Sequence, residues 1–270
     1  MPHPLAPLRV ALFELEGVLF DLRAARGRAL RDGLAVAGVR PEMIDGATLA
    51  RAAALSAEAA VRAVVAAAAQ VGDAAAAGCD DVAVALAAHR TERAFGDQLA
   101  RGGLTLADGA REAVDALAAR FRLGVVTRLR RAEADQLLTA AALGPAFSAV
   151  VAGDDRVPSV PGSASGARYA AALARLAPRV PGLVPAQAVA LVDAAEAATD
   201  ARAAGLRAVR VCTAPWDACD RTPAGDAAGA GDAAGQVVAD AHLASLRGLT
   251  PATLACALDL APAPCTRPRP

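Results

Sequence analysis

The chain has 270 residues with 28 basic and 28 acidic side chains, a formal net charge of zero, which excludes a general attraction to nucleic acid or to an anionic membrane. Apolar residues make up 55%, but 78 residues are alanine and aromatics are only 3%, so few side chains are available to stack on bases or sugars. That length suits one large domain, or a core with a smaller partner.

The first apolar run, Leu8 to Phe13, ends in Glu14-Leu15-Glu16-Gly17 and predicts a short buried strand that leads into a turn. The two glutamates interrupt that run early, which argues against a signal peptide. No window predicts a membrane span, because the uncharged stretch from Gln136 to Gly153 is broken by Gly144-Pro145. A soluble, cytoplasmic protein is expected. Residues 22–103 read as an alanine-rich helical module, with apolar positions three and four apart (Leu49, Ala53, Ala57, Ala60) and charges between them. Breaks between its helices are expected at residues 38–41, at Gly72-Asp73 and at Gly78-Cys79-Asp80.

Alternation of strand and helix follows. A helix after Asp108-Gly109 runs to Arg120, and Leu123–Thr127 is a second buried strand. Helix 131–142, a third strand at Ser148–Ala152 and a helix from Ser165 to Leu176 come next. The fourth strand, Ala188–Val192, ends on Asp193; helix 194–204 stops at Gly205, and Leu206–Val211 is the fifth strand. Residues 213–235, rich in Gly, Ala, Pro and Asp, read as a flexible loop. A short strand at Val237-Val238, a helix beyond Leu243 and a disordered tail at 261–270 complete the chain. The pattern predicts an α/β fold: a Rossmann-like parallel sheet covered by helices on both faces, with an inserted all-helical cap. The core comprises residues 1–21 and 104–260, and the cap residues 22–103. Ligands of such sheets bind at the carboxyl ends of the strands, where Glu14, Glu16, Thr127, Asp154-Asp155 and Asp193 stand; the insert leaves the chain at that edge.

Lysine and asparagine are absent, and Ile44 is the one isoleucine. AT-rich codons encode these missing types, so the coding sequence is GC-rich, and chemistry that ordinarily uses lysine must use arginine or go without. Five cysteines (Cys79, Cys212, Cys219, Cys256, Cys265) form no CxxC pair, and His3, His89 and His242 are scattered. Neither a disulfide framework nor a histidine-based metal site is expected.

The order of Phe13-Glu14-Leu15-Glu16-Gly17-Val18-Leu19-Phe20-Asp21, Gly124-Val125-Val126-Thr127, and Val192-Asp193 followed by Ala203-Ala204-Gly205 resembles the haloacid dehalogenase-like superfamily, mostly phosphatases with a helical cap. The Leu106–Glu112 run looks like that family's helix start, and the resemblance spans about residues 8 to 250. It implies a carboxylate nucleophile at position 14 that forms an acyl phosphate, an acid/base carboxylate at position 16 and a hydroxyl at Thr127 that holds a phosphoryl oxygen. It also implies Mg²⁺ held by Glu14, Glu16 and Asp193, with phosphate bound by Gly17, Thr127 and Arg128.

The sequence departs from this pattern at most of those positions. Glutamate replaces aspartate at 14 and at 16, and an extra methylene displaces a carboxylate by about 1.5 Å. A shift of about 1 Å costs on the order of 100-fold in a geometry-limited step. The lysine position falls near Val160-Pro161, leaving Arg156 or Arg168 as substitutes, and Val192 stands where the pattern has an acidic neighbour of Asp193. Glu196 and Asp200 lie on the following helix. GC-rich coding does not force these changes, since Asp and Glu each have a codon ending in G or C.

The reading favoured is a catalytically impaired protein on a phosphohydrolase fold that binds a phosphorylated ligand or a protein partner. The alternative is an active magnesium-dependent phosphatase acting on a small phosphorylated metabolite, with Glu14 as nucleophile. For Thr127 and Asp193, capping of the next helix stands beside phosphate and metal binding. Arg128, Arg130 and Arg131 are either an anion-attracting cluster or a solvated helix start, and Asp154-Asp155 is read as a loop cap. The Cys212–Cys219 segment around Trp216 is either an ordinary surface loop or a partner-binding one.

Overall fold

The computed structural model describes residues 7–53, 55–102, 104–157, 166–211 and 239–260. The predicted loop 213–235, the strand at Val237-Val238, the Cys212–Cys219 segment, the tail, and the lysine-equivalent Val160-Pro161 lie outside these residues. The chain forms two units, Met1–Phe20 with Leu106–Pro270, and Asp21–Thr105.

In chain order, β1 (Val10–Glu14) is followed by five helices of the second unit: α1 (Arg23–Val36), α2 (Gly46–Ala53), α3 (Ala57–Gln70), α4 (Ala74–Ala77) and α5 (Asp81–Arg101). The first unit resumes with α6 (Ala110–Ala118), β2 (Arg122–Val126), α7 (Arg131–Ala140), β3 (Phe147–Val151), α8 (Ala167–Leu176) and β4 (Ala188–Val192). It closes with α9 (Ala195–Ala203), β5 (Arg207–Val211), β6 (Ala241–Leu243) and α10 (Pro251–Ala257). No helix among the described residues is long and apolar enough to cross a membrane.

The six strands form one parallel sheet in the order β3-β2-β1-β4-β5-β6. β1 is flanked by β2 and β4, so the order reverses beside it and its carboxyl end stands at the switch point where open parallel sheets take ligands. Both faces of β1 are covered. Val10 and Leu12 pack with Tyr169, Ala172, Leu173 and Leu176 of α8 and with Ala198 and Ala201 of α9. Ala11 and Phe13, which alternate to the other face, have no exposed surface either. A strand buried on both sides reads as an unbroken apolar run rather than an alternation, which is why Val-Ala-Leu-Phe and Ala-Val-Ala-Leu-Val are legible as central strands. The first strand differs from expectation by one residue at its end, since it takes in Glu14.

Within the second unit, α1 and α5 pack along their alanine faces. At their closest approach Gly33 lies against Ala87 and Thr91, where a Cβ would stand 2.0 Å from Thr91 Oγ1 and 2.5 Å from the Ala87 carbonyl. The expected breaks carry side-chain caps: Asp73 accepts from the Ala75 and Ala76 N–H groups and also from Arg40 N–H, and Asp80 accepts from Ala83 N–H.

Candidate functional site

Strand register brings the candidate residues together. Glu14 lies opposite Val126 of β2, and Phe13 opposite Leu191 of β4. Thr127 and Asp193 therefore both emerge just beyond their strands, on either side of the carboxyl end of β1. After Glu14 the chain makes a tight excursion: Gly17 N–H donates to Phe20 O (2.8 Å) and Phe20 N–H to Leu15 O (2.9 Å). Gly17 holds φ at +78°, and a Cβ there would meet Asp193 Oδ2 at 2.3 Å. The turn against Asp193 thus requires glycine.

Buried polar groups concentrate here. Glu14 is 7% exposed, Glu16 5% and Thr127 2%, whereas in the second unit only Asp73 and Thr91 are comparably buried among the described polar and charged side chains. Each of the three is gripped by neighbouring donors, as buried polar groups must be. Glu14 Oε2 accepts from Asp193 N–H at 3.0 Å. Glu16 Oε2 accepts from the Thr127 hydroxyl at 2.6 Å, and Glu16 Oε1 from Arg128 N–H at 3.2 Å. Thr127 Oγ1 in turn accepts from Leu129 N–H at 3.0 Å. Burial, reinforced by the charge of Glu16, pushes the Glu14 carboxyl up to about 7, against the opposing pull of Asp193 N–H and Arg128.

All six sequence-derived site residues, Glu14, Glu16, Gly17, Thr127, Arg128 and Asp193, lie in this one place. Thr127 and Arg128, expected to hold phosphate, hold the Glu16 carboxylate. Among the described residues no group of three or more His, Cys, Asp or Glu side chains is placed to hold a metal ion. The glutamate carboxylates are taken up by the protein's own N–H and O–H donors.

Ala194 occupies the N-cap position of α9, and the turn before α7 is closed by Glu133, which accepts from Arg130 N–H. Arg131 is drawn away from the site, donating to Val150 O (2.7 Å) and Asp155 Oδ2 (2.5 Å). Asp154 and Asp155 do tie the loop, accepting from Arg131 N–H and Ala152 N–H. Of the two lysine substitutes, Arg156 is exposed and Arg168 half-buried on α8, and neither has an ion-pair partner among the described residues. Glu196 is exposed on α9. Two further residues escaped sequence reasoning. Tyr169, the one tyrosine in the chain, is buried on α8, and burial together with the charge of Glu14 pushes its hydroxyl well above the usual range. Arg210 donates from Nε to Asp193 O at 3.2 Å; an arginine within the short strand Arg-Ala-Val-Arg-Val was the available signal.

No family model matches the chain, and no curated protein matches it in sequence. Solved structures do match its fold. The β-phosphoglucomutase of Clostridium difficile is 12% identical with a TM-score of 0.65, over 93% of this chain and 97% of that one. A haloacid dehalogenase-like hydrolase of Streptococcus pneumoniae is 15% identical with a TM-score of 0.56, over 76% and 84%. The magnesium-bound YfnB of Bacillus subtilis is 17% identical with a TM-score of 0.52, over 76% and 87%.

Proposed function

From the haloacid dehalogenase-like fold that this chain shares with those structures, we propose that it is a phosphohydrolase-fold protein that has lost phosphoryl transfer and works as a binding protein for a phosphorylated ligand or a protein partner. The observation that carries this reading is the Glu16 carboxylate seated on Thr127 Oγ1 and Arg128 N–H. A hydroxyl and a backbone N–H at the mouth of a parallel sheet are suited to an incoming oxyanion, and here an internal anion already fills them. The charges of Glu16 and Asp193 beside Glu14 oppose attack of its carboxylate on a phosphoryl group. Glu14, its carboxyl pushed up to about 7, is substantially protonated near neutral pH and is a poor nucleophile in that form.

The test is phosphate release from an aryl phosphate and from a panel of sugar and glycolate phosphates, with magnesium present, for the native chain and for Glu14→Ala. Release indistinguishable from background in both is expected. Turnover that disappears in Glu14→Ala would instead establish an active phosphatase with a glutamyl nucleophile.

A further inference from the structure

The second unit contains a cavity of about 460 Å³ between the first and last of its long helices, lined by Arg28, Arg31, Asp32, Gln98, Arg101 and Leu104 among others. Arg28 and Arg31 are one turn apart on α1, and Arg101 is the last residue of α5. Each guanidinium is held by a neutral acceptor: Arg28 Nε donates to Gln98 Oε1 (3.0 Å), Arg31 Nη1 to Gly27 O (3.3 Å) and Arg101 Nε to Asp97 O (3.0 Å). None of the three has a carboxylate partner among the described residues. Elsewhere in the same unit Arg23 is paired with Asp21, and Arg62 with both Glu58 and Asp81, while exposed Arg51, Arg90 and Arg93 make no ion pair among the described residues. Asp32, the one acid lining the cavity, lies one turn from Arg28 without pairing with it.

We propose that this cavity is a binding site for a small dianion of the phosphate-monoester type, gripped by the guanidinium groups of Arg28, Arg31 and Arg101. Three points support that class of ligand. Three fixed positive charges against one negative leave an uncompensated excess facing the cavity, and arginine stays charged at every working pH. Neutral acceptors that pin the guanidinium stems orient the forks without cancelling their charge, and such forks match the geometry of phosphate oxygens. The volume lies in the range of small-molecule sites, so it has room for an organic group besides the phosphate, with Leu104 supplying apolar wall. The site is independent of the Glu14–Glu16 cluster.

Calorimetric titration of the full chain at low salt, with inorganic phosphate and with phenyl phosphate, tests the proposal. Both bind the native protein, and binding weakens as salt is raised. The Arg28→Gln/Arg101→Gln double variant weakens both by tenfold or more, since two charge-assisted contacts are removed. Asp32→Asn tightens both severalfold by removing the one opposing charge. Arg62→Gln, whose partner carboxylates lie outside the cavity, leaves both affinities unchanged. Thermal melts verify that each variant folds. Failure of the native chain to bind either probe overturns the proposal, as does a loss smaller than tenfold in the folded double variant.

Discussion

Glu14 and Glu16 sit two residues apart, yet their surroundings treat them differently. Glu16 has a hydroxyl and an N–H facing its two oxygens, whereas Glu14 has Asp193 N–H on one oxygen and the charges of Glu16 and Asp193 close by. Unfolded, Glu14 loses its proton near 4.5; folded, it retains it up to about 7. Between those values the folded state binds more protons, so its stability falls as pH rises through about 7. The difference amounts to about 3 kcal/mol. Denaturant melts at pH 5 and pH 8.5 will show native stability declining across that interval, and Glu14→Gln will flatten the decline. Glu16→Ala should open the Thr127 and Arg128 donors. In a chain that also carries Arg28→Gln and Arg101→Gln, so that the other site is weakened, it should strengthen phosphate binding relative to that parent; calorimetry would detect it. Gly17→Ala should cost about 2 kcal/mol or more, because its φ of +78° and the 2.3 Å approach to Asp193 both penalise a Cβ. A thermal melt reads this directly. The identities of these residues were visible in the sequence; which oxygen meets which donor was not, because that depends on side-chain reach across three strands far apart in the chain.

At the level of elements, one charged network anchors the loop after β3. Asp155 accepts from Ala152 N–H and pairs with Arg131 and Arg175. Burial works against its charge, but these donors prevail and hold its carboxyl below the usual range. Its contribution is present above about pH 4 and is lost as pH falls through its lowered value. Asp155→Asn should destabilise the chain by about 1–2 kcal/mol at neutral pH, with the gap to the native protein closing in acid; chemical denaturation at pH 7 and pH 3 measures both. The strands and helices of the sheet unit were largely legible, since uninterrupted apolar runs and glycine stops are local signals. Terminal residues differed, as at Glu14, because a strand's end is set by its neighbours' register. The pairing of Arg131 with Asp155 was not legible: a run of arginines before a helix looks the same whether it faces solvent or a carboxylate that folds back onto it.

For the molecule as a whole, the insertion points explain how two units share one chain. Leu106 bridges Phe20, and Ala107 N–H donates to Leu19 O at 2.8 Å, so the ends of the sheet unit that flank the insert lie side by side. The apolar cluster of Leu30, Leu34, Val61, Val64 and Ala87 with their neighbours is drawn wholly from residues 21–105. Residues 21–105 expressed alone are therefore expected to be helical by circular dichroism and to melt cooperatively, whereas a gradual, non-cooperative loss of ellipticity would show that this cluster does not suffice. By itself the sequence determined the α/β class, the helical insert and the positions at which strand ends would carry carboxylates and a hydroxyl. Those follow from hydrophobic periodicity and from glycine and capping signals acting over a few residues. The tertiary structure alone decided that Glu16 turns onto Thr127 and Arg128, and that three arginines meet around one cavity with Asp32 as the one acid in its lining. Both outcomes depend on distances of a few ångströms between residues dozens of positions apart, and only the packed chain sets those distances.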